Sequence, residues 1–148
     1  MRKGTASAIV NGKTIKMTLQ FWDSVDRPVL KELYDEWKIF GSDLKNIGAG
    51  GVNLPEGISE SAFCLDFNSN AVRIISEGHL YDCYDIVRGK GIQIKATSVP
   101  KDITSFGPHS IWDELYFLDF YKSGNFNGEF DVYLIPNNLI YNFKVNAT

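Results

Sequence analysis

Apolar residues take up helical spacing in one long stretch of this chain and strand spacing on either side of it, and those changes limit the folds open to it. Leu30, Leu33, Tyr34, Trp37, Phe40, Leu44 and Ile47 recur at intervals of three and four. This spacing predicts one amphipathic helix of about five turns over residues 27–45. Asp26 ahead of Pro28 suits its start, and the Gly48–Gly51 stretch ends it. From residue 71 onward the period becomes two. Residues 71–75, 80–84 and 92–97 are β-branched or alternate apolar with polar side chains, as half-buried strands do. Residues 114–120 fit either element. Their aromatic content and the glycine-rich loop at 123–128 favour a strand, paired with residues 130–135. Asn11-Gly12 between residues 5–10 and 13–19 predicts a β-hairpin with a type I′ turn. A second, shorter helix is expected to start at Pro55 or Ser59, and Pro136 to open a short C-terminal helix or turn. The sum is an α/β domain: a mixed sheet of about five strands flanked by helices, with an N-terminal β-hairpin.

The length of 148 residues suits one domain, and 44% hydrophobic against 22% charged residues is globular composition rather than disorder. No apolar run approaches the ~18 residues that would span a bilayer. The basic start at Met1, Arg2 and Lys3 is not followed by the apolar stretch of a secretory signal. Cys64 and Cys83 make neither a disulfide framework nor a zinc site and read as small core residues. A soluble, cytoplasmic protein with no membrane partner is expected. The net charge of −3 does not exclude nucleic acid, because a magnesium site concentrates carboxylates while a binding groove stays positive. Arg73, Arg88, Lys90, Lys95 and Lys101 all fall in the central third. Serine–histidine–acid catalysis has no nucleophile elbow here, and the glycines at 48–51 lack the lysine of a P-loop. His79 and His109 read as loop histidines, and Asp113, Glu114 and Asp119 as surface or strand-end charges.

Chemistry concentrates in residues 80–98. Gln93 and Lys95 are two apart on a predicted strand and so share a face, about 7 Å from each other. If the turn occupies residues 85–90, Tyr84 pairs with Gly91 and Asp82 lies opposite Gln93, about 5 Å away. A carboxylate, an amide oxygen and an ammonium then converge. That grouping suits phosphodiester hydrolysis: magnesium takes hard oxygen ligands and keeps waters, and a lysine beside it can orient water and stabilise charge at phosphorus. A three-residue turn over 89–91 would instead set Asp85 opposite Lys95. Asp82 and Asp85 cannot share a face of a regular strand. The longer turn favours Asp82 and leaves Asp85 in the loop, where aspartate is common.

Asp82 with Gln93-Ile94-Lys95 resembles the PD-(D/E)xK nuclease core, in the form where glutamine replaces the second acid. The flanks at 53–64, 92–98, 104–108, 112–121 and 135–141 resemble the small type II restriction endonucleases that cut GCNGC (Bsp-six-I-type), over roughly residues 20–146. The resemblance implies a restriction-endonuclease-like fold in a single nuclease domain over 1–148, with residues 1–20 as a hairpin extension. It implies Asp82 as the metal-binding acid, Gln93 in the place of the second acid, the Ile94 carbonyl as a further ligand and Lys95 as the catalytic lysine. Glu60 matches an acid brought to the metal through water, and Thr97 and Ser98 match positions that touch phosphate. Mg2+, double-stranded DNA, a homodimer and a cognate DNA methyltransferase are the implied cofactor and partners. Two other readings stay open: a repair or structure-specific nuclease on the same core, and an inactive DNA-binding protein.

Overall fold

The computed structural model describes residues 1–10, 12–78, 80–97, 110–124 and 126–142. Asn11, His79, Ser98, Lys101, the 104–108 stretch and His109 lie outside the described residues. Among the described residues seven strands form one sheet in chain order: β1 (Arg2–Val10), β2 (Lys13–Phe21), β3 (Ala71–Ile74), β4 (Cys83–Asp85), β5 (Lys90–Thr97), β6 (Glu114–Asp119) and β7 (Asp131–Ile135). All neighbours are antiparallel except β5 and β6, so the sheet is mixed. Among the described residues three α-helices accompany it: α1 (Arg27–Asn46), α2 (Glu56–Ala62) and α3 (Asn137–Asn142).

The expectation of about five strands falls short by two, for a physical reason. The N-terminal hairpin does not stand apart. Leu19 and Gln20 of β2 pair with Ile74 and Arg73 of β3 and carry the hairpin into the sheet. Ala8, Met17 and Leu19 then bury against Val72, Ile74 and Tyr81 as a second small core. The main core lies on the other face, where Leu30 and Tyr34 of α1 and Ile58 and Ala62 of α2 cover Cys83, Ile92, Ile94, Tyr116 and Leu118.

The start of α1 is set by a short 3-10 turn at Ser24–Asp26, capped by the Asp23 side chain, with Pro28 in the first turn. A π-helical turn (Phe63–Phe67) follows α2 directly. It sets Phe63 at a tilt and Phe67 edge-on against Tyr116 of β6, at ring separations of 4.8 and 5.5 Å. Cys64 and Cys83 are buried thiols 3.5 Å apart, as core residues. Among the described residues no helix is long and apolar enough to cross a membrane.

Candidate active site

β4 and β5 pair as Cys83 with Ile92, Tyr84 with Gly91 and Asp85 with Lys90, so residues 86–89 make the turn. This is the longer of the two expected turns. Gly89 takes a φ of 65°, which favours glycine. Asp85 ends β4 rather than sitting in the loop. Its Oδ1 accepts from the Val87 and Arg88 amides at 3.0 and 2.9 Å, and its Oδ2 from Arg88 Nε at 2.7 Å and Asn68 Nδ2 at 3.1 Å. Burial raises the Asp85 carboxyl, but the donors from Arg88, Asn68 and Val87 outweigh it and hold the group at about 2. Arg88 also grips Glu114 with both terminal nitrogens, at 2.7 and 2.9 Å, tying the turn to the start of β6. Asp85 is therefore consumed in building the hairpin.

Gly91 has a different duty. A Cβ there would sit 2.4 Å from the Tyr81 ring, so Tyr81 can fold over the strand only because the position is glycine. The Gly91 amide donates to Asp113 Oδ2 at 2.7 Å. Asp113 and Glu114 thus brace the hairpin, a task invisible in their sequence spacing.

With Tyr81 turned inward, β4 begins at Cys83 and Asp82 stands one residue ahead of it. Its backbone still follows the sheet: the Asp82 amide donates to the Ile92 carbonyl at 3.0 Å, and the Ile74 amide donates to the Asp82 carbonyl at 2.9 Å. The carboxylate accepts from the Ile94 amide at 2.7 Å and from Gln93 Nε2 at 2.6 Å. Asp82, Gln93 and the Ile94 backbone are therefore together. Ile92 and Ile94 point into the main core, so Gln93 and Lys95, both half-buried, share the opposite face of β5.

Glu60 is placed otherwise. It is buried on α2, where Arg73 Nε donates to its Oε2 at 2.6 Å. Arg73 also donates to Gln20 Oε1 at 3.1 Å, and that oxygen accepts from Trp22 Nε1 at 3.1 Å. Burial pushes the Glu60 carboxyl up to about 7; Arg73 opposes this and the negative charge of Asp82 adds to it. The Arg73–Gln20 link joins residues 53 apart in sequence, and no short-range pattern could have signalled it.

Among the described residues no group of three or more His, Cys, Asp or Glu is arranged to hold a metal ion. The groups that do meet are the Asp82 carboxylate, the Gln93 side-chain amide and the Ile94 main-chain N–H, and the first two can offer the hard oxygen that Mg2+ selects while it keeps most of its waters. The charge of Asp82 acting on buried Glu60 is a crowding that a divalent cation would relieve. The residues fit such a cation.

The family described as Bsp6I restriction endonuclease matches residues 22–148. The chain belongs to that family. Over 86 residues it is 35% identical to the type II restriction enzyme Bsp6I of Bacillus sp. (strain RFL6), a stretch covering 57% of this chain and 47% of that relative. The matched stretch thus spans about half the length of the curated relative. No solved structure matches the chain. The family region begins at residue 22, just after β2, so the N-terminal hairpin lies outside the match to the family while belonging to the same sheet.

Proposed function

We propose that this member of the Bsp6I family is a divalent-metal-dependent endodeoxyribonuclease of the type II restriction class, cutting duplex DNA at a short sequence, with GCNGC the site its likeness suggests. The observation that carries the reading is the meeting of Asp82 with Gln93 and Ile94, on the strand that also bears Lys95, in a chain of this family. Asp82, Gln93 and the Ile94 carbonyl would hold Mg2+, with Glu60 contributing negative charge through water. A bound Mg2+ would activate water and neutralise charge on the scissile phosphate.

The chain's own residues have separate tasks. Asp82 is fixed by the Ile94 amide, so its carboxylate is oriented before any ligand arrives. Gln93 now offers its Nε2 to Asp82, and its amide oxygen is the end that a cation would use. Lys95 orients the attacking water by hydrogen bonding and stabilises the charge that builds on the phosphate oxygens. Thr97, buried at the end of β5, and Ser98 carry the phosphate contact. No covalent intermediate is required. A symmetric DNA site calls for two-fold protein, hence a homodimer with one active site per strand. A DNA methyltransferase protecting the host site is the expected companion.

Lys95→Ala and Asp82→Ala should each still retard duplex DNA in a gel shift yet leave a supercoiled plasmid uncut with magnesium, a loss of at least about 100-fold. Wild-type cutting by both variants would end the assignment. Sequencing the ends of a digested plasmid reads the site directly, and cuts that follow junctions or mismatches would move the protein to a structure-specific nuclease.

A further inference from the structure

Past Tyr34, α1 packs on its own body chiefly through Trp37, which is half-buried, meets the Phe126 ring at 5.1 Å and donates from Nε1 to the Val52 carbonyl at 2.9 Å. Only Leu30 and Tyr34, in the first turns of the helix, are buried. Leu33, between them, is 43% exposed; further along, Phe40 is 54% exposed and Ile39 62%, and Ile47 just past the helix is 78% exposed. Beside this face runs an apolar groove of about 610 Å3, walled by α1, β2, α2 and the segment entering it, with Trp22, Leu33, Trp37, Phe40, Val52 and Ile58 among its lining and Arg73 of β3 also bordering it. Contiguous apolar surface of this kind marks an interaction site more often than bare solvent contact.

The pattern on the helix says what fits it. Leu33, Trp37, Phe40 and Leu44 are spaced four, three and four, a sequence of steps that reads the same in either direction. A second α1 laid antiparallel about a two-fold axis between Trp37 and Phe40 meets it layer by layer. Leu33 lies against Leu44 of the second copy, and Trp37 against Phe40 of the second copy. Ile47 of the second copy reaches the Val29 end of the groove. A closed two-fold interface needs a ridge and its matching groove on one surface, and this surface has both. The fourteen residues lining the groove, with the free turns of α1, make a patch of about twenty residues along a helix of about 30 Å. That matches the side of a standard stable interface, about 800 Å2 per partner.

We propose that a second copy of this chain docks on this face, α1 against α1 and antiparallel, as the homodimer interface. The proposal deepens the two-fold nuclease reading and rests on it for its purpose; neither Asp82 nor Lys95 lines the groove, although Arg73, the partner of Glu60, does.

The test is sedimentation velocity on the full chain at micromolar concentration, for the wild type, Phe40→Glu, Leu44→Glu and, on the outer edge strand, Val132→Pro. The wild type should sediment as a dimer, and Phe40→Glu and Leu44→Glu should weaken association at least about 30-fold while keeping the wild-type circular dichroism spectrum. Val132→Pro should leave the dimer intact. A nitroxide at Ser42 should lie nearer its symmetry mate than one at Lys31, which reads the antiparallel register even if a charged variant misfolds. A monomeric wild type, dimers unmoved by the α1 variants, a dimer lost in Val132→Pro alone, or the reverse order of nitroxide distances would each overturn it. Plasmid cleavage on the same samples separates the two claims. A dimer broken by Phe40→Glu whose wild type cuts nothing keeps the interface and removes the nuclease reading, whereas a wild-type monomer that cuts removes the interface alone.

Discussion

Gly91 and Asp85 show how single residues fix the position of the candidate catalytic acid. Tyr81 lies on Gly91 so closely that any Cβ would enter the ring, and Asp82 follows Tyr81 directly. Gly91→Ala should therefore cost about 1–3 kcal/mol in urea unfolding and lower plasmid cleavage together, because the displaced ring carries Asp82 with it. Asp85 acts by charge. Its folded value of about 2 lies below the ordinary 3.8, so its contribution is present above pH 4 and lost as pH falls from 4 towards 2. Asp85→Asn should destabilise the protein by about 2 kcal/mol at pH 7, and melts recorded from pH 7 to 3 should show that gap closing. A gap that does not change with pH would mean that Asp85 works through shape alone.

At the scale of elements, the β4–β5 hairpin was read in the correct register, since Tyr84 does pair with Gly91. The lengths were not: residues 80–84 alternate as a strand should, yet β4 covers only Cys83–Asp85. The reason lies in the neighbours. Tyr81 joins the second core, and the Asp82 carboxylate takes the Ile94 amide. Helix α1 ends within one residue of its expected boundary because a three–four stripe and a proline start are local signals. The β1–β2 turn is local in the same way. Gly12 has a φ of 75°, so Gly12→Ala should cost about 1 kcal/mol in a thermal melt without altering DNA cleavage.

At the scale of the molecule, the hairpin is structural. Leu19 is buried in the second core against Val72 and Ile74, which immediately flank Arg73, the partner of Glu60. Leu19→Ala should cost about 2–5 kcal/mol and shift one cooperative transition rather than release the hairpin alone. Two separate transitions in calorimetry would instead mark residues 1–21 as an independent unit.

The sequence by itself determined the α/β class, the long helix, the hairpin register and the pairing of Asp82 with Gln93. Each follows from the period of apolar side chains or from residues within a dozen positions, where chain connectivity leaves few alternatives. Only the tertiary structure decided that the first hairpin extends the sheet, that Asp113 and Glu114 brace the turn, and that Glu60 faces Arg73. Those outcomes depend on contacts between residues many positions apart, where burial and charge compensation choose among partners that the local pattern leaves equal.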